Sequence, residues 1–142
     1  MSQQSQNNEL ADLFGEVIYS YTRAEAIADG VLIDVSELAR DAGFRHPVAM
    51  TSGVWADCVA WTCADNNRQV HQDPTGRLWD VLWMAYCAIR AARSTRSELL
   101  FELYRVPRDG RSTNAMLCQL KLVAGPGDQG EPVITILLPR ED

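Results

Sequence analysis

The chain has 142 residues, 46% hydrophobic and 23% charged, enough for one domain with a sizeable core. That balance excludes a disordered chain, a collagen-like repeat and a coiled-coil rod. Thirteen basic residues against nineteen acidic ones leave a net charge of -6, which disfavours a generic nucleic-acid binder, whose phosphate contacts need surplus Arg and Lys.

The polar run at residues 1–8 predicts a disordered tail, and residues 9–142 a single domain. Glu9–Phe14 is expected to form a short helical turn, and Glu16–Tyr21, which alternates and is rich in β-formers, a strand. Thr22 stands three residues before Glu25, a capping-box spacing, and Gly30 closes the predicted helix Arg23–Asp29. Val31–Val35 predicts a second strand. Ser36 is placed to cap a helix over Glu37–Ala42 that Gly43 ends. Pro47 makes Arg45–Met50 extended, because it disfavours helical geometry at His46.

Thr51 or Ser52 is expected to cap a helix over Gly53–Trp61, with Val54, Cys58 and Trp61 on one face, and the polar stretch Thr62–Asn67 predicts a loop. Asp73-Pro74-Thr75-Gly76 carries a type I turn pattern between extended arms at Gln69–Gln72 and Arg77–Trp79. Asp80 then caps the longest helix, Val81–Arg93, which is apolar nearly all round, and Arg90 and Arg93 complement its dipole. Strands follow at Leu99–Val106, Ala115–Val123 and Val133–Leu138, joined by a turn at Pro107–Arg111 and a Gly/Pro loop at Gly125–Pro132. The prediction is an α+β domain. Its mainly antiparallel C-terminal sheet packs against a Trp-rich central helix and follows a mixed N-terminal β-α-β segment.

Met1–Phe14 has no basic stretch followed by an apolar one, and the apolar run Val81–Ala92 is too short to span a bilayer and contains Arg90. The four cysteines form no Cys-x-x-Cys pair. A cytoplasmic protein with no membrane contact is expected, with reduced thiols and with Cys58, Cys87 and Cys118 as small core residues.

Charge is distributed unevenly. Residues 1–44 hold eight acids against Arg23 and Arg40, a local charge of -6, whereas residues 90–127 carry +4. Lys121 is the only lysine beside twelve arginines, a bias toward planar, hydrogen-bonded contacts.

Four stretches carry a resemblance: residues 21–36 (Tyr21-Thr22-Arg23 through Asp34-Val35-Ser36), Pro47-Val48-Ala49-Met50-Thr51, residues 76–84 (Gly76-Arg77-Leu78-Trp79 onward) and the closing residues 125–135. Together they resemble an uncharacterised family, a domain of unknown function encoded mainly on bacterial plasmids, integrative elements and phages. The resemblance spans nearly all of the chain beyond the polar tail. It implies an accessory role such as plasmid maintenance, transfer or counter-defence, and brings no catalytic residues with it.

Several constellations bear on chemistry. Cys58, Cys63, His71 and Cys87 offer zinc-ligand types, but no spacing matches a zinc knuckle, and Cys58 and Cys87 fall in apolar helices. A Cys58–His46 nucleophile pair beside Asp57 has no supporting local signature, and a packing role for Cys58 is the simpler account. The Gly125–Gly130 loop runs into a strand rather than a helix and holds Asp128 with Glu131 next to it. A hairpin connection therefore explains it better than a phosphate cradle.

An enzymatic alternative is a distant likeness to the opening topology of ADP-ribosyltransferases. It implies NAD as cofactor, Tyr19 or Tyr21 stacking on nicotinamide, Ser36 supporting the pocket and Glu131 as the catalytic acid. Otherwise no cofactor or metal is expected.

The main expectation is protein–protein binding, by a counter-defence or regulatory inhibitor of a nucleic-acid-handling host system. Its acidic surface (Glu25, Asp29, Asp34, Glu37 and Asp41) would meet a basic partner. Among Trp55, Trp61, Trp79 and Trp83, Trp79 is the candidate recognition anchor. Arg105, Arg108 and Arg111, flanking the Asp109-Gly110 turn, are expected to face solvent and contact an acidic partner or phosphate. Direct DNA binding through Arg90–Arg111 is a third alternative and is disfavoured by the charge. A homodimer is compatible with the sequence.

Overall fold

The computed structural model describes residues 21–93 and 96–142. The predicted tail, the turn at 9–14 and the strand at 16–21 lie outside the described residues, apart from Tyr21.

The described chain is an α+β domain built on one five-stranded mixed sheet. Its strands are β1 (Leu32–Asp34), β2 (Val48–Thr51), β3 (Glu98–Arg105), β4 (Met116–Pro126) and β5 (Pro132–Leu137), in the order β1-β2-β5-β4-β3. The predicted C-terminal meander is present, with β3, β4 and β5 antiparallel in sequence. β2 joins β5 in parallel and β1 pairs antiparallel with β2.

Register carries an apolar row across the sheet. Ile33 faces Met50, Met50 faces Ile136 and Ile136 faces Leu122, while Phe101 faces Leu120 on the same side. Directly paired residues point to one face, so this row forms one floor. Two helices cover it, α2 (Ser36–Ala42) through Ala39 and Ala42, and α5 (Pro74–Ala91) through Leu78, Val81, Leu82 and Ala85. Met50, Leu82, Leu120 and Ile136 are among the largest side chains fully removed from water. Each such burial contributes about 1.5–3 kcal/mol.

Helix α1 (Arg23–Ala28) begins at the predicted capping box: Thr22 accepts from the Glu25 amide at 3.0 Å and Glu25 accepts from the Thr22 amide at 2.9 Å. These bonds satisfy two of the donors a helix start leaves open. Arg23 pins α1 to β5, donating to Thr135 Oγ1 at 2.7 Å and to the Ile134 carbonyl at 2.8 Å.

Elsewhere the structure corrects the expected elements. Asp73-Pro74-Thr75-Gly76 is the start of α5: Asp73 accepts from the Gly76 amide at 2.7 Å and Pro74 takes the first helical position. An Asp-Pro pair serves a turn and a helix start equally. Burial of Arg77, Leu78 and Val81 on one stripe decides for helix, so 77–79 is no extended arm. The helix ends at Ala91, which leaves Arg93 beyond its last turn, and it is not apolar-buried all round, because Trp83 and Met84 face solvent.

Residues expected to form a loop at 62–67 make α4 (Cys63–Arg68), capped reciprocally by Thr62 and Asp65. Tertiary partners hold this polar helix: Asp65 pairs with Arg108 at 2.8 Å and Asn66 accepts from Trp61 Nε1, also at 2.8 Å. The helix expected over 53–61 is one α-turn, α3 (Ser52–Val54), followed by a π-helical turn at Trp55–Val59, where the Ala60 amide reaches the Trp55 carbonyl at 2.8 Å. Ser36 does not cap α2. Its hydroxyl donates to Asp34 at 2.6 Å and accepts from the Val48 amide at 3.0 Å, stitching β1 to β2.

Candidate functional site

The acids expected to form a partner surface lie on α1, β1 and α2 and the residue that ends α1, and Glu25, Asp29, Asp34, Glu37 and Asp41 are all exposed. Arg23 is half-buried and turned onto β5, so among bases of the described residues up to position 44 only Arg40 is exposed. The exposed charges of this described segment are thus five acids against one base. Tyr21 and Val31, both about half exposed, sit among these acids, and Tyr21 donates to Asp29 at 2.6 Å.

Of the three arginines expected to face solvent, Arg108 and Arg111 are exposed. Arg105 is not solvent-facing: it is half-buried, and its Nη2 donates to both Asp57 carboxylate oxygens, at 3.0 and 3.3 Å. Burial opposes the charge, but Asp57 together with the Cys118 and Cys58 sulfurs raises the Arg105 pKa. Strand alternation explains the direction, since Arg105 follows Phe101 and Leu103 on the inward face. Arg108 is committed to Asp65, and Arg111 is exposed. Gln69 clamps the intervening loop, donating to the Pro107 carbonyl at 2.8 Å and the Ser112 carbonyl at 2.6 Å.

Trp79 is half-buried against the core, and the exposed tryptophan is Trp83, at 43%. The two rings stack with centroids 6.0 Å apart and an 8° interplanar angle. Trp61 is buried under the Arg77 guanidinium, 4.5 Å from its ring centre, and Trp55 packs at the core margin.

The π-helical turn builds a polar cluster that sequence reasoning missed. Arg77 is 4% exposed and donates to the carbonyls of Val59 (3.2 Å), Val106 (3.0 Å) and Asp57 (3.4 Å) and to Gln72 Oε1 (2.7 Å). Burial pulls its pKa down. Next to it, Cys58 Sγ lies 3.8 Å from Cys118 Sγ. Their hydrogen bond raises the Cys58 thiol and lowers Cys118, and burial lifts Cys58 further. A cavity of about 120 Å³ adjoins the cluster, lined by Cys58, Gln72, Arg77, Asp80, Tyr104 and Arg105 among others. π-helical turns of this kind concentrate at functional sites.

The other sequence candidates separate. Cys63 and His71 are exposed, Cys87 is half-buried, and Cys58 is instead grouped with Cys118 and Asp57. His46 is exposed while Cys58 is buried against Cys118. Tyr19 lies outside the described residues. Ser36 and Glu131 line one cleft of about 200 Å³ with Arg23, Asp34 and Asp128. That volume is below the range of about 300–1,000 Å³ usual for small-molecule sites, and its three carboxylates oppose a pyrophosphate. The Gly/Pro stretch is a hairpin connection as expected, but a shorter one, because Gly125 and Pro126 pair with Val133 and Pro132 as the end of β4, and Glu131 folds back onto the Gln129 amide at 2.9 Å.

The model of a family of unknown function, DUF6573, matches residues 8–142. The chain belongs to that family. No curated protein and no solved structure matches it. Within this DUF6573 domain, the stretches that carried the sequence resemblance fall on α1-β1 and the start of α2, on β2, on the first half of α5 and on the β4–β5 hairpin. Of these, β2 and the first half of α5 supply Val48, Met50, Leu78, Val81 and Leu82 to the core. No helix among the described residues is long and apolar enough to cross a membrane.

Proposed function

We propose that this DUF6573 protein is an accessory protein of a mobile element that acts by protein–protein binding, as a counter-defence or regulatory inhibitor. Its partner is a basic, nucleic-acid-handling host protein, docked on the acidic surface of α1, β1 and α2. The observation that carries this reading is the exposure of all five acids, Glu25, Asp29, Asp34, Glu37 and Asp41, against one exposed base, Arg40, among the described residues up to position 44. Tyr21 and Val31 supply apolar contact area within an acidic rim, the make-up of a specific interface. Mobile-element service follows from the sequence resemblance.

The test is capture from host lysate by the wild-type chain and by the triple variant Asp29→Asn, Glu37→Gln, Asp41→Asn, at low and moderate salt. A nucleic-acid-handling protein held by wild type, weakened by salt and lost by the variant is expected, because complementary charge accelerates encounter. Equal capture by both chains, or none at low salt, removes the proposal.

A further inference from the structure

Two thiols and a carboxylate meet where the π-helical turn touches β4. The ligand atoms of Asp57, Cys58 and Cys118 all lie within 4.8 Å of one another, and both cysteines are removed from water. The sulfur separation of 3.8 Å is far longer than a disulfide bond, which is about 2.05 Å. It equals the edge of a tetrahedron around an ion held about 2.3 Å from each of two thiolates, which is about 3.8 Å. The two elements are therefore already at the spacing that a tetrahedral thiolate site requires.

We propose that Asp57, Cys58 and Cys118 form a three-ligand site for a thiophilic divalent cation of the zinc type. As the two sulfur–metal bonds form, both thiol protons pass to solvent and no electrons are exchanged. Two thiolates and one carboxylate around a divalent ion leave a single negative charge. Arg105, 3.0 Å from Asp57 Oδ1, offsets that charge from outside the ligand set. A carboxylate accepts both a guanidinium and an ion, because its two oxygens offer about four lone pairs. Cys58 borders the 120 Å³ cavity, so a water has room to complete four-coordination. Three protein ligands and one exchangeable position is the pattern of a reactive site, whereas structural sites are closed by four.

Co²⁺ titration of the full chain under reducing conditions tests this by absorption. Saturation at one equivalent is expected, with thiolate-to-cobalt charge transfer, intense tetrahedral d–d bands and displacement by Zn²⁺. Cys63→Ser, at an exposed cysteine outside the cluster, retains the spectrum. Cys118→Ala loses most of the charge-transfer intensity and at least about tenfold in affinity. Asp57→Asn, at a half-exposed position, keeps the thiolate bands with about ten- to hundredfold weaker binding, and supplies the readout if the core cysteine variant fails to fold. Absence of a saturable tetrahedral spectrum in wild type overturns the site. So does a spectrum that survives Cys118→Ala, disappears in Cys63→Ser, or is unchanged in affinity by Asp57→Asn.

Discussion

The guanidinium of Arg77 on α5 donates from Nε to the carbonyl of Val59 at 3.2 Å, closing the end of the π-helical turn. A π-helical turn leaves carbonyl groups without intrahelical partners, and a buried carbonyl without a partner costs about 1–3 kcal/mol. Arg77 meets that need with a planar fork that also reaches the Asp57 and Val106 carbonyls while stacking on Trp61. One side chain thus ties together the π-helical turn, α5 and the end of β3.

Arg77→Lys keeps the charge and loses the fork. An ammonium does not reproduce the stack on Trp61 or span the same carbonyls. The expected loss is about 2–4 kcal/mol in urea unfolding, whereas Arg68→Lys, on exposed α4 surface, stays within about 0.5 kcal/mol.

Gly43 ends α2 at φ +122°, where a β-carbon would come within 2.7 Å of the Tyr86 ring. Tyr86 cannot swing aside freely, because Phe44 meets its ring edge-on, with centroids 5.8 Å apart. Gly43→Ala therefore adds a clash to backbone strain and is expected to cost about 2–4 kcal/mol by thermal or urea denaturation. Gly110→Ala, at φ +80° with open space around it, carries the backbone strain alone and costs about 1 kcal/mol.

Asp109 organises the β3–β4 loop, accepting from Ser112 Oγ at 2.5 Å and from the amides of Ser112 and Arg111 at 2.7 and 2.8 Å. These bonds, led by the Ser112 hydroxyl, hold its pKa down at about 2, against an ordinary 3.8. A carboxyl group more acidic in the folded than in the unfolded chain contributes stability above the unfolded value, and loses it as pH falls through the folded one. Wild type is expected to lose stability between about pH 4 and pH 2, with Asp109→Asn showing a shallower loss across that window in thermal melts.

Cysteine reactivity should follow exposure. Cys63, exposed on the first turn of α4, is expected to react first with a thiol-specific reagent, and half-buried Cys87 more slowly. Cys58 and Cys118 react only on denaturation. Mass spectrometry after timed alkylation distinguishes them, and early modification of Cys118 contradicts the packed arrangement.

The sequence determined those features in which a local pattern has one physical meaning. Thr22 with Glu25 forms a capping box, Gly43 ends a helix, and alternation in 98–137 forms three antiparallel strands. Each depends on groups a few residues apart or on a repeat of two. The exposed acids were legible for a similar reason, since a charged side chain is seldom taken fully out of water.

Only the tertiary structure decided the rest. Asp73-Pro74 satisfies a turn and a helix start alike, and burial of the Arg77–Leu78–Val81 stripe selected the helix. Once 77 is helical, Arg77, Val81 and Ala85 fall four apart on the buried face, a signal that the expected extended arm concealed. The alternation Phe101, Leu103, Arg105 likewise pointed inward, but its partner Asp57 is 48 residues away. Cys118 and Cys58 are 60 residues apart and meet only because β4 pairs with β3 beneath the π-helical turn. Opposite charges and paired thiols have no sequence periodicity. Their association is set by which elements the apolar floor brings together.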